Sequence, residues 1–381
     1  MNCKWIIAFF FLGFAWFVFQ IIQLFDLAKE LKIHSIEKCQ KISIENPTED
    51  LITYKNLVIG VASDIPTLFF KHHTASLATP GFLFAFDPAK NFYYRIKTHN
   101  FNTEYAFNPN GITIFNDKLY VLSHSFAKGG ERIFVFALTM TTEIEADFVK
   151  SIEIDQNHGF YNSLTFVDEE HFFITQWSPF ADMPEGRDFS FNSEIKRIWA
   201  IFSPCGTVKK CKVDGEKANC LEIMKGYVPN GIEIIGNNVF IADSVDKKVK
   251  VYEMNENLDL EFKDEVKLHY SPDNLRAYNG EIYTTGIFKS FDFISITEAF
   301  KSNSPLPLVP GTAGRIFFNG TKWVTQDLLT EDILSFPTGC TVANNIFILT
   351  GIVESNLLVC SLENLLIVNS IFKNMKKSDL K

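Results

Sequence analysis

Apolar and polar positions alternate at period two along most of the chain between about residues 40 and 362. Phe82-Leu83-Phe84-Ala85-Phe86 and Ile133-Phe134-Val135-Phe136 are examples. This spacing, rich in aromatic and β-branched residues, predicts strands packed on a pleated surface. Strands are expected at Leu57–Ala62, Leu119–Leu122, Phe172–Thr175, Arg197–Phe202, Val239–Ala242, Lys248–Tyr252, Glu281–Thr284 and Ile346–Leu349. A strand–turn–strand unit recurs within this block. Pro109-Asn110-Gly111-Ile112 and Pro229-Asn230-Gly231-Ile232 each open one, with weaker copies at Tyr161-Asn162-Ser163-Leu164, Pro272-Asp273-Asn274-Leu275 and Pro337-Thr338-Gly339-Cys340. Asn110, Asn162, Asn230, Asn274 and Gly339 lie 52, 68, 44 and 65 residues apart, a repeat of propeller-blade size. Any one Asn-Gly alone reads as a type I′ hairpin turn, where both residues tolerate positive φ. Recurrence at blade spacing, each time ahead of an Ile/Leu-rich strand, points instead to equivalent positions around a propeller axis.

Residues 5–25 break the alternation. They are apolar except for Gln20 and Gln23, and twenty-one residues suffice to span a bilayer as a helix. The segment is longer than a usual signal-peptide core and lacks a small-residue cleavage site, so an uncleaved signal anchor is expected over 1–25, with a cleaved secretory signal as the alternative. Residues 26–38 carry helically spaced apolar positions and predict a short juxtamembrane stalk helix. No Pro/Gly/Ser linker divides 39–362, which is expected to be one domain. Two insertions, 178–188 and 302–311, read as surface loops covering one face. The tail 363–381 reads as a terminal amphipathic helix or a frayed polar end.

The formal net charge of −9 and the absence of a basic, aromatic-interleaved patch argue against nucleic acid as a partner. Lysines at 29, 32, 38 and 41 outnumber Lys4, which by the positive-inside rule would place the long part in the cytosol. The cysteines and the sequon Asn319-Gly320-Thr321 favour the opposite orientation, with the domain lumenal or extracellular at the endoplasmic reticulum or plasma membrane. Cys39 and Cys360 stand at the two ends of the strand-rich block, and a bond between them would close a circular domain. Cys205, Cys211 and Cys220 do not match a zinc motif; one local disulfide across a hairpin is expected, with its pairing open.

Oxygen donors collect at the blade starts: Asn162, Asn230, Asp273 and Asn274, joined by Glu49 and Asp50 at the head of the first strand pair. Carboxylates and amides together suit calcium, which takes six to eight oxygens in flexible geometry.

With these stretches on view the chain resembles the paraoxonase/arylesterase family, six-bladed calcium propellers. The carrying residues are Cys39 through Glu49-Asp50-Leu51, Phe107 through Ile112, Tyr161-Asn162 through Phe172, Val228 through Ile232, Ile241-Ala242-Asp243 through Glu253, Asp273-Asn274 and Leu358-Val359-Cys360. The resemblance covers nearly all of 39–362 in order, and includes nematode membrane proteins of the family that assist degenerin-type sodium channels. It implies a catalytic calcium held by Glu49, Asn162, Asn230, Asp273 and Asn274, and a Cys39–Cys360 disulfide. It also implies a second, structural calcium held by Asp50, the main-chain oxygen of Ile112 and an Asp where this chain has Ser163. The implied chemistry is hydrolysis of aryl esters and lactones, with calcium as Lewis acid and a histidine pair activating water. Asn110 stands where the first histidine belongs, and an amide is no base near neutral pH. His124 matches the second; it either positions water or is a hydrogen-bonded residue at a strand end. His72 and His73 read as surface groups. Two readings follow: a calcium-dependent hydrolase weakened at Asn110, taking small esters or lactones, or a non-catalytic accessory protein for ion-channel subunits.

Overall fold

Strands form over the period-two runs, and within each meander they pair antiparallel with the next in sequence. The computed structural model describes residues 3–24, 26–33, 39–71, 73–102, 104–125, 128–154, 159–180, 186–302 and 304–367. Thr48–Tyr54, Leu57–Ala62, Phe82–Asp87 and Phe92–Arg95 make one four-stranded meander. Two further meanders begin at Pro229–Ile235 and Ser271–Tyr278. A larger sheet holds two more, begun by Pro109–Phe115 and Phe160–Phe166 and joined where Glu153 faces Lys217. The last sheet runs from Pro337–Ala343 and takes its outer strand, Cys39–Ser43, from the other end of the domain.

The first strand of each meander packs against the first strand of the next, and Pro337–Ala343 packs against Thr48–Tyr54. The cycle closes in a propeller-like arrangement. Leu51, Val58, Phe84, Phe134, Leu164, Phe172, Phe240, Leu275 and Phe347 fill the space between sheets and are buried. The abundant phenylalanines thus go where blade faces must be covered.

Closure is covalent. Cys39 sits directly opposite Cys360 in the strand pair, and the two are disulfide-bonded across 321 residues of sequence. Cys211 faces Cys220 in the hairpin Gly206–Asp214/Lys217–Gly226 and is bonded to it, leaving Cys205 and Cys340 as thiols.

Several expectations change. Arg197–Phe202 is not a strand but the end of a helix, Phe191–Phe202. Ser190 caps this helix, accepting from the Ser193 amide, and Ile195, Ile198, Trp199 and Phe202 follow at helical spacing. That apolar stripe is exposed, as is Phe191. Residues 26–33 form a turn and an extended stretch rather than a stalk helix. Tertiary contacts overrode the local propensity there: Asp26 accepts from both the amide and hydroxyl of Ser290 at 3.3 Å and pairs with Lys247 at 2.6 Å. Lys29 donates to the carbonyls of His269 and Phe288. Another helix, Asp292–Ser302, lies in a region read as strand and turn.

A helix, Cys3–Leu24, runs over the apolar N-terminal segment. Among the described residues no helix is long and apolar enough to cross a membrane. Part of the first insertion, 181–185, and the tail from 368 onward lie outside the described residues. Asn319 sits in an exposed turn, its side-chain oxygen accepting from the amide and hydroxyl of Thr321.

The ring places a mechanical demand on the Cys39–Cys360 bond, because it holds the outer strand of the closing sheet. Replacing both cysteines with alanine should lower the unfolding free energy by about 2–5 kcal/mol, measured by denaturant titration. Unchanged stability would show that strand pairing alone closes the ring.

Candidate metal centre

All six first strands carry a register irregularity at the same place: Thr48/Asp50, Pro109/Ile112, Phe160/Leu164, Pro229/Ile232, Pro272/Leu275 and Pro337/Gly339. A bulge re-aims one side chain out of the pleat. Here the re-aimed positions include the oxygen-bearing residues seen in the sequence.

The Asn-Gly pairs therefore lie inside strands, not in hairpin turns. The hairpins themselves use Asn116-Asp117, Gly236, Asn279-Gly280 and Asn344-Asn345, all at positive φ. Gly111, Gly231 and Gly339 serve close approach instead. A Cβ on Gly111 would fall 2.2 Å from the Asn162 carbonyl oxygen. On Gly231 it would fall 2.5 Å from the Leu275 nitrogen and 2.6 Å from the Asp273 oxygen, and on Gly339 2.6 Å from the Glu49 oxygen. Each glycine lets the next blade's ligand-bearing backbone slide against it.

Hydrogen bonds then fix the donors. Asn274 donates its amide nitrogen to the Glu49 carbonyl at 3.3 Å, and Asn110 donates to the Asn162 carbonyl at 3.4 Å. Thr175 and Thr338 hydroxyls donate to the Asn230 and Glu49 carbonyls, the latter at 2.9 Å. The Asn110 and Asn274 nitrogens are thus committed to main-chain carbonyls, while the Asn230 side chain bonds Asp273. Glu49 Oε2, Asn162 Oδ1, Asn230 Oδ1, Asp273 Oδ1 and Asn274 Oδ1 are all shut off from solvent and accept from no donor. Native proteins leave few buried polar atoms unpaired. These five stand among twelve such atoms of the described residues, and all five are acceptors, the kind of group a hard cation would need. No group of three or more His, Cys, Asp or Glu able to hold a metal occurs among the described residues. The donor set has only two carboxylates, and its three amides suit calcium rather than a transition metal.

The electrostatics agree. Burial, reinforced by Asp50 and Asp273, holds the Glu49 carboxyl well above the ordinary range. Burial also pushes Asp273 up to about 8, against a hydrogen bond from Asn230. A divalent ion favours the charged forms of both, so its binding would release protons.

Glu49, Asn110, Asn162, Asn230 and Asp273 form the polar floor of a cavity of about 220 Å³. Its walls are apolar, with Phe69, Phe70, Phe160 and Trp177 prominent, and Arg187 adds one charge. The turn following the N-terminal helix docks at its rim, since Ser290, bonded to Asp26, lines the cavity.

His124 is not among the lining residues. It is buried behind Phe160 and Phe69, whose rings lie 4.4 and 5.2 Å from it, and its Nδ1 is 2.8 Å from the carboxylate of buried Glu131. The geometry matches the hydrogen-bonded residue at a strand end. Asn110 does face the cavity.

Asp50, Ile112 and Ser163 do not meet the requirements of a second cation site. Ser163 brings no carboxylate. The guanidinium of Arg276 binds Asp50 and lies 2.9 Å from the Ile112 carbonyl oxygen. Sequence reading missed Arg276 although it stands two residues after Asn274 in one strand, so period two places both on the axial face. Glu131 and the cavity walls carried no usable sequence signal.

No family model and no curated protein matches this chain. Among solved structures, a candidate gluconolactonase is 12% identical, with a TM-score of 0.48 over 86% of this chain and 93% of its own. A luciferin-regenerating enzyme is 11% identical, with a TM-score of 0.48 over 85% and 95%. A virginiamycin B lyase from Staphylococcus aureus is 9% identical, with a TM-score of 0.44 over 85% and 99%.

The close approach at Gly231 predicts a specific cost. Gly231→Ala should destabilise the domain by about 1–3 kcal/mol, since the methyl group meets backbone that can move only with its blade. Gly215→Ala is the control for thermal melting: nothing lies near its Cβ, and only the positive φ opposes it. Equal melting temperatures for wild type and Gly231→Ala would contradict the packing account.

Proposed function

We propose that the chain is a six-bladed calcium propeller, of the paraoxonase-like type, that admits a hydrophobic aryl ester or lactone into the cavity above the ion and hydrolyses it slowly. The observation that carries this reading is the set of donorless oxygens of Glu49, Asn162, Asn230 and Asp273 on residues lining a largely apolar cavity, with that of Asn274 beside Asp273 in the same strand. Bound there, calcium would supply Lewis-acid polarisation of a carbonyl oxygen. The chain's own residues do the rest. The apolar walls would desolvate and orient the ligand, and Glu49, Asn162, Asn230, Asp273 and Asn274 would hold the ion. We place the protein at the endoplasmic reticulum or plasma membrane, anchored by the apolar run 5–25 with the domain lumenal or extracellular, and Asn319 as a glycosylation site.

One observation favours a second, non-catalytic reading as an accessory to ion-channel subunits. No histidine lines the cavity among the described residues; Asn110 occupies the wall and His124 is held behind it by Glu131. General-base catalysis typically supplies about 10² to 10⁴ in rate, and this geometry offers no obvious base.

Calcium binding is tested through stability. A ligand that binds only the native state adds about 2.7 kcal/mol at a concentration 100 times its Kd. Chelator should therefore lower the melting temperature of the wild-type chain, and Asp273→Ala should abolish most of that shift. A melting temperature indifferent to chelator would remove the metal from the account.

Activity separates the two readings. Wild-type protein should turn over phenyl acetate or a δ-lactone weakly, and only with calcium. Asn110→His places an imidazole on the cavity wall and should raise the rate by about 10²-fold. A calcium-loaded Asn110→His variant with no gain would favour the accessory role.

A further inference from the structure

Directly inside the five-oxygen ring lies a second axial position, and a side chain of this protein fills it. Glu49 and Asp50 are consecutive, and the irregularity at Thr48/Asp50 sends them to different positions. Glu49 faces the cavity; Asp50 points inward and is fully buried. Asp50 accepts from the amides of Leu51 at 2.9 Å and Ile112 at 3.1 Å, and from Arg276. The Arg276 guanidinium is itself buried and donates in four directions. It reaches Asp50, the Ile112 carbonyl at 2.9 Å, the Leu51 carbonyl at 2.5 Å and the Leu275 carbonyl at 2.8 Å. The acceptors come from the strands Thr48–Tyr54, Pro109–Phe115 and Ser271–Tyr278. One planar cation thus gathers a carboxylate and main-chain oxygens from three blades, the task an oxygen-bound metal ion performs at the centre of a ring. Ser163, fully buried nearby on the fourth strand, contributes a neutral hydroxyl that accepts from no donor. The guanidinium answers Asp50 directly and has Glu233 3.9 Å away on its other side, so it already supplies the positive charge a divalent ion would bring to Asp50.

We propose that Arg276 is a built-in cation that replaces a second metal ion, so that the chain binds a single calcium. This rests on the calcium reading of the outer ring. The consequence is a division of labour: the inner axis is held together whether or not calcium is present, and the exchangeable ion belongs to the cavity alone.

The test is a metal count. Full-length protein in detergent, equilibrated with calcium chloride and freed of excess, is weighed by native mass spectrometry. One calcium per chain is expected. Two would overturn the role of Arg276. None would overturn the reading of the outer ring, and so separates the two failures. The paired change Arg276→Ser and Ser163→Asp removes the guanidinium and restores a carboxylate; it should raise the count from one to two. A folded double variant that still binds one ion would sink the proposal. Should that variant not fold, the count on the unaltered chain decides.

Discussion

Oxygen atoms of like polarity held close together away from water repel, and this protein buries five without a hydrogen-bond donor in the bulged starts of its inner strands. Several neighbouring donors are committed to main chain: amide nitrogens of Asn110 and Asn274 go to carbonyls of adjacent strands, and the Thr175 and Thr338 hydroxyls do the same. Unpaired buried acceptors and carboxylates each cost free energy, which protonation of Glu49 and Asp273 relieves in part and a bound cation would relieve further. The bulged inner strands, the tight glycines and the covalent ring closure can all be understood as the means of assembling these acceptors.

The centre is built at two levels with different chemistry. The outer level is open to an apolar cavity and composed of acceptors that an exchangeable hard cation can satisfy. The inner level is sealed and satisfied by Arg276. Burying a salt bridge costs desolvation of both partners, and only good geometry with further hydrogen bonds offsets it. Arg276 meets that condition, since three main-chain carbonyls share it with Asp50. Structural cohesion and ligand chemistry are thereby separated on one axis.

The cavity above the ring combines a polar floor with aromatic walls, a distribution that favours a hydrophobic molecule bearing one polar group. What it lacks is a placed base. His124 has the right sequence neighbourhood, but packing behind Phe69 and Phe160 and pairing with Glu131 give it a local structural role. A set of buried oxygen acceptors thus coexists with a cavity that no histidine lines among the described residues.

Much of this was legible in the sequence. Period-two alternation gave the strands, because burying one face of a pleated sheet leaves a direct trace in residue order. The recurring polar starts gave the ring donors Glu49, Asn162, Asn230, Asp273 and Asn274, because repeats place equivalent residues at equivalent points. Cys39 and Cys360 could be paired from their positions at the ends of the domain. Other features depended on contacts between residues far apart in the chain. The glycines look like turn residues until the neighbouring blade is in place. The segment after residue 25 is helical by pattern, yet it is drawn into a turn by Ser290 and Lys247. Arg276 reads as one more strand residue until Asp50, 226 positions earlier, meets it at the axis. Local periodicity reports which face of an element is buried; only the closed ring decides what that face meets.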